Sequence, residues 1–354
     1  MSSRLSAAIF DTEGATLTAD EKAFFKDVNP FGYILFSRHC ASPEAVKRLI
    51  GELKSLSGRD RLPILIDQEG GRVARLKPPH WPKYPPAGVF AGMMKFDRDK
   101  AHKAAHLNAR LIAHDLYELG ITVDCAPLAD LPVQGAHDII GDRAFGTEAE
   151  QVIYLARAMA AGLMEGGIVP ILKHIPGHGR ATADSHDEVP VVNEPLDVLR
   201  ATDFIPFKAL ANLPMAMTAH VLYTAIDDQN MATLSKKTIN LIRKELGFNG
   251  LLLTDALDMK SMAKMPLDKR ASASLAAGCD IALHCNSSFK EKLEVAKGVC
   301  ALEGESLERA NRAMASVKTP KTFDPDAGRQ KLEMLLSDIT DVYKTGRIHV
   351  GLNT

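Results

Sequence analysis

Eight short apolar runs recur along the chain, each followed by polar residues and then by a helical pattern. They are SAAIFDTEG (6–14), FGYILFSR (31–38), LPILIDQEG (62–70), ITVDCAPLAD (121–130), IVPILKHIPG (168–177), PMAMTAHVLY (214–223), GLLLTDALD (250–258) and CDIALHCN (279–286). Between them, segments such as PEAVKRLIGELKSL (43–56) and EQVIYLARAMAAGLMEGG (150–167) return an apolar residue every three to four positions, the period of an amphipathic helix. Thr18 with Glu21 forms a capping box, and Gly120, Gly166 and Gly278 stand where helices should end. Continuous apolar strands alternating with helices imply a parallel sheet covered on both faces. Eight such units between residues 6 and 286 predict an α/β protein with a closed, single-domain (β/α)8 barrel rather than an open doubly wound sheet.

No GxGxxG follows the first run and no linker or shift in composition divides the chain, which argues against a dinucleotide-binding half. Residues 1–354 read as one catalytic domain, with a helical extension from about residue 320. The longest interruptions are residues 71–97, proline-rich and holding Trp81, and residues 131–147; loops of that length after barrel strands shape a site. With 43 Lys and Arg against 44 Asp and Glu, the chain offers no electrostatic footprint for nucleic acid or an anionic membrane, so a small molecule is the expected partner. The start, MSSRLSAAIFDTEG, lacks a signal peptide's apolar region, and no run approaches membrane-spanning length. Five cysteines at irregular spacing suit free thiols in a reducing cytoplasm. Cys279, His284 and Cys285 read as small buried strand residues, since no CxxC or second ligand pair accompanies them.

Catalytic groups of such barrels project from the C-terminal ends of the strands. Here those ends carry Asp11, Ser37 with Arg38, Asp67, Asp130, Lys173 with His174, His220, Asp255 and His284. One stretch is denser than the rest: KHIPGHGRATADSH (173–186). His174 and His178 have an H-x3-H spacing, but Pro176 and Gly177 break the helix that would turn both toward one ion. Lys173 and Arg180 would also repel a dication. Neither a metal nor a cofactor is therefore expected. The alternative has Lys173 and His174 as fixed donors at a strand end, followed by a loop with a second, mobile histidine and with glycines as hinges. Asp184 beside His186 can raise the imidazole pKa and fix its tautomer, as a group that gives and retakes a proton requires.

This stretch resembles the K-H-x-P-G-H-G-x4-D-x-H pattern of the β-N-acetylhexosaminidase branch of glycoside hydrolase family three. Further matches are DQEGGRVARL (67–76), GDRAFG (141–146), MTAHVLYTAIDDQNMATLS (217–235), LGFNGLLLTDALDM (246–259) and AGCD (277–280), in the family's order from about residue 7 to 300. The resemblance implies a retaining hydrolase that removes terminal, non-reducing β-linked N-acetylglucosamine. In bacteria the typical substrate is a cytoplasmic muropeptide fragment, GlcNAc joined to 1,6-anhydro-N-acetylmuramic acid. Carried over by position, Asp255 is similar to the nucleophile, and His186 to the general acid/base with Asp184 as its partner. Asp67, Arg75, Arg143, Lys173 and His174 are similar to the groups that grip the sugar hydroxyls. The chain departs in reading TDAL at 254–257 where many single-domain relatives read SDDL, and in GDRAFG where relatives often carry Ser before Phe. Neither change touches the nucleophile position.

The physical chemistry agrees with these roles. Retaining glycosidases need a carboxylate and a proton donor about 5 to 5.5 Å apart, and an Asp at a strand end is rigidly held. A carboxylate with neighbouring cations complements a vicinal diol, accepting from the hydroxyl protons while the cations donate to the oxygens. Other readings are a β-glucosidase, whose acid/base Glu comes from a second domain, an N-acetylglucosaminide phosphorylase with the same residues, and a metal-dependent amidohydrolase barrel.

Overall fold

The computed structural model describes residues 4–181, 184, 188–316 and 318–344, with residues 338–344 as backbone only. All eight apolar runs contain a strand: β1 Ser6–Phe10, β2 Pro30–Leu35, β3 Ile64–Ile66, β4 Val123–Asp124, β5 Val169–Ile175, β6 Met215–Thr218, β7 Leu251–Leu253 and β8 Ala282–His284. They form one parallel sheet in the order β7-β6-β5-β4-β3-β2-β1-β8. A parallel bridge between Leu253 and Ile281 joins its two ends. The (β/α)8 barrel predicted from the alternation is the fold.

Why the strands read as continuous apolar runs is visible in the packing. Ile9, Leu65, Ile171, Met215, Leu251, Leu253 and Leu283 share the barrel interior. Their sequence neighbours Ala8, Phe10, Ile64, Ile66, Leu172, Ala216 and Leu252 pack outward against the helices. Successive strand side chains point to opposite faces, and both faces are largely dry here, so most positions on each are apolar. The helix stops behave as expected. Thr18 and Glu21 complete a reciprocal capping box, and Gly120, Gly166 and Gly278 each end a helix.

Two stretches expected as loops contain structure. Residues 71–97 include part of a two-stranded ribbon, Gln68–Gly70 against Val73–Ala74, and a helix, Ala87–Met93, with Trp81 buried. Residues 131–147 include a short 3-10 turn, Gly141–Arg143. The helix Pro325–Lys344 lies on the helix Arg98–Leu119, with Leu332 buried and Arg329 3.3 Å from Asp115. No helix among the described residues is long and apolar enough to cross a membrane.

Candidate active site

At the C-terminal mouth of the barrel a cavity of about 200 Å³ is lined by the polar side chains of Asp67, Arg75, Arg143, Lys173, His174 and Asp255 and by the apolar ones of Phe36, Met217, Met259 and Leu283. Six of the eight residues singled out from the sequence therefore meet in one place, although they come from five separate strand ends and loops. His186 lies outside the described residues. Asp184 is partly exposed, and its carbonyl accepts from the Glu188 amide at 3.1 Å.

The polar wall is an ion-pair lattice. Lys173 Nζ stands 3.1 Å from Asp67 Oδ1 and 2.6 Å from Glu69 Oε1. Arg75 donates to Asp67 at 3.0 Å. Arg143 grips Glu69 with two bonds, Nε at 2.9 Å and Nη2 at 2.8 Å. Two carboxylates thus face three cations. Burial by itself would raise the Asp67 pKa, but Lys173 and Arg75 outweigh it and hold the carboxyl well below the ordinary range. Glu69 behaves likewise, with Arg143 and then Lys173 overcoming the burial. Lys173 moves upward, because Glu69 and Asp67 more than offset its own burial. The lattice sets carboxylate acceptors and cationic donors side by side, an arrangement complementary to a vicinal diol.

Glu69 has no part in the sequence reading, although it lies inside the DQEGGRVARL stretch. What places it is the ribbon. Gln68 accepts from the amides of Arg75 and Leu76 at 2.8 and 3.0 Å and donates to Leu76 O at 3.2 Å, so the chain turns back and brings Arg75 beside Asp67. Gly70, at φ 97°, has no room for a side chain because a Cβ would sit 2.4 Å from Pro85 O.

Asp130, a strand-end carboxylate without an assigned role, orients the histidines. It accepts from His174 Nδ1 at 2.8 Å and from the backbone amides of His174 and His178, the latter at 2.7 Å. Nδ1 of His174 therefore carries a proton, and the ring presents Nε2 to the cavity. His178, expected to be the mobile histidine of the loop, is instead buried, 3% exposed, because the shared Asp130 carboxylate draws its backbone inward. Burial and then the neighbouring His174 push its pKa down to about 4. Gly179 is not a hinge either. A Cβ there would lie 1.9 Å from Leu131 O, so its glycine serves close backbone approach.

Asp255 follows β7, is 7% exposed, and accepts at Oδ1 from the amide of Ala256 at 2.8 Å. Asp258 takes an acceptor bond from Cys285 Sγ at 3.7 Å and is absent from the cavity wall. Burial lifts its pKa to about 6. No cluster of three or more potential metal ligands occurs among the described residues.

Beneath the lattice Asp124 is wholly buried; it accepts the Gln68 amide at 2.9 Å with Oδ1 while Oδ2 has no hydrogen-bond partner among the described residues. Burial raises its pKa to about 7. In the unfolded chain an Asp titrates near 3.9, so between these values the unfolded state has lost a proton that the folded state keeps. Stability falls as pH rises through this window, by an amount on the order of 2 to 4 kcal/mol. Asp124→Asn keeps the bond to Gln68 and cannot ionise. The variant should melt above the parent protein at pH 8, with the gap closing by pH 4, as scanning calorimetry at the two values would record.

The fold is a (β/α)8 barrel whose mouth holds a charged lattice and a buried carboxylate, a donor and acceptor set that suits a polyhydroxylated ligand. The chain belongs to glycosyl hydrolase family 3: the family's N terminal domain matches residues 10–319. It is a glycoside hydrolase. A β-hexosaminidase of Alkalilimnicola ehrlichii is 39% identical over 278 residues, 77% of this chain and 79% of that protein. A β-hexosaminidase of Tolumonas auensis is 34% identical over 316 residues, 88% of this chain and 90% of the relative. Among solved structures, NagZ from Neisseria gonorrhoeae in complex with N-trifluoroacetyl-D-glucosamine superposes with a TM-score of 0.83 at 30% identity, covering 94% of this chain and 98% of the other.

Proposed function

We propose that the protein is a retaining exo-β-N-acetylglucosaminidase. It removes terminal non-reducing GlcNAc, and its substrate is the disaccharide GlcNAc-1,6-anhydroMurNAc of cytoplasmic cell-wall recycling. The observation that carries the reading is one cavity lined by Asp255 together with the Asp67, Lys173, Arg75 and Arg143 lattice. Likeness to β-hexosaminidases and to a NagZ bound to a glucosamine derivative supports the choice of sugar. Five free cysteines support the compartment.

In this mechanism the lattice and His174 hold the hydroxyls of the terminal sugar, while Asp255 attacks the anomeric carbon and forms a glycosyl ester. His186, paired with Asp184, protonates the departing oxygen and then takes a proton from the water that hydrolyses the ester. Two displacements at one carbon restore its configuration.

The test is turnover of 4-nitrophenyl β-N-acetylglucosaminide against the corresponding β-glucoside. The expected result is a strong preference for the former, undiminished in EDTA, with the β-anomer formed first by proton NMR. Preference for the glucoside, first release of the α-anomer, or loss of activity in EDTA would overturn the reading. Appearance of sugar 1-phosphate in phosphate buffer would convert it to a phosphorylase.

A further inference from the structure

His220 ends the MTAH stretch just beyond β6, is completely buried, and is not among the cavity-lining residues. Both of its ring nitrogens are nonetheless engaged. Nε2 lies 3.0 Å from Ala256 O, and Nδ1 lies 2.7 Å from Thr233 Oγ1. Thr233 Oγ1 is fixed in turn, 2.8 Å from Thr218 Oγ1 and 3.1 Å from Ala219 O. A carbonyl only accepts, so Nε2 carries the proton and donates it to Ala256.

Ala256 is the residue that matters, because its own amide donates to Asp255 Oδ1 at 2.8 Å. Its N–H thus rests on the carboxylate while its C=O rests on His220. We propose that His220 is a positioning residue for the nucleophile: by pinning the Ala256 carbonyl it fixes the backbone that holds one oxygen of Asp255, and so leaves the other directed at the anomeric carbon. This rests on the reading of Asp255 as nucleophile.

Two further tethers hold the same turn from other sides. Arg270 Nη1 donates to Leu257 O at 2.7 Å, and the Leu283 amide donates to Thr254 Oγ1 at 2.9 Å. Loss of the His220 bond therefore loosens Ala256 without releasing the whole turn. A misplacement of about 1 Å at a reacting group costs on the order of 100-fold in rate. The sugar grip sits on other strands, so affinity is expected to be unaffected.

The experiment compares His220→Gln with His220→Asn, because the Gln amide nitrogen reaches the place of Nε2 whereas the Asn nitrogen reaches only that of Nδ1. The probe is a 5-fluoro GlcNAc glycosyl fluoride, which loads the nucleophile and stalls. Its labelling rate reports the attack, peptide mapping reports the labelled residue, and competitive binding of GlcNAc reports the grip. Labelling should stay within about tenfold of the parent in His220→Gln and fall by about 100-fold in His220→Asn, with GlcNAc affinity within about twofold in both. Equal labelling rates in both variants, or parallel loss of labelling, affinity and the thermal transition in both, would overturn the proposal. A label on a residue other than Asp255 in the parent protein would instead overturn the nucleophile assignment.

Discussion

Asp255→Ala is expected to lose on the order of 10⁴-fold or more of turnover on 4-nitrophenyl β-N-acetylglucosaminide while keeping its fold. The side chain is largely buried at the cavity wall, and its removal deletes the carboxylate proposed to form the glycosyl ester. The substitution also leaves a small space beside Ala256. Sodium azide admitted there should restore measurable turnover and give the α-glycosyl azide, since a single displacement inverts the anomeric centre. Asp258→Ala is the control. Asp258 is three residues on, but it is not among the cavity-lining residues and its carboxylate accepts from Cys285 Sγ, so its loss should leave most activity in place. An inactive Asp258→Ala beside an active Asp255→Ala would move the nucleophile. So would azide rescue that gives the β-product.

The second large effect is selective. If His186 protonates the leaving oxygen, His186→Ala should depress kcat/KM on natural disaccharides by about 10² to 10⁴-fold and barely touch nitrophenyl glycosides, whose leaving group scarcely needs a proton. Asp184→Asn should show a milder form, because the imidazole survives without the charge that raises its pKa. Lys173→Ala and His174→Ala should lower both substrates alike if, as proposed, they bond the sugar that stays and not the group that leaves. Lys173 also neutralises Asp67 and Glu69 at 3.1 and 2.6 Å, so its removal should be the more severe of the two. The readout is the ratio of kcat/KM for the two leaving groups across the four variants. An unchanged ratio in His186→Ala would remove it from the acid role.

The barrel was legible because each strand is buried on both faces, which forces an unbroken apolar run. Helix ends were legible for a similarly local reason: a capping box such as Thr18 with Glu21 involves residues three apart. The longest motif led to Lys173 and His174 at the end of β5, and they stand in the cavity. The same motif misled at His178 and Gly179. A Gly-His-Gly run suggests freedom by composition, yet one carboxylate 48 residues away, Asp130, pulls the His178 amide inward. The Leu131 carbonyl leaves no room beside Gly179.

By itself, then, the sequence determined what depends on periodicity, on capping and on which side chains end each strand. Those are short-range properties, written in neighbouring residues. Tertiary structure alone decided which charges pair. Glu69 reads as an ordinary acid until Arg143, 74 residues further along, closes on it with two bonds. Asp124 is an ordinary strand residue until the lattice is built above it and water is excluded, which raises its pKa to about 7. Ion pairing and desolvation depend on distance and burial in three dimensions. Neither quantity is a function of separation along the chain.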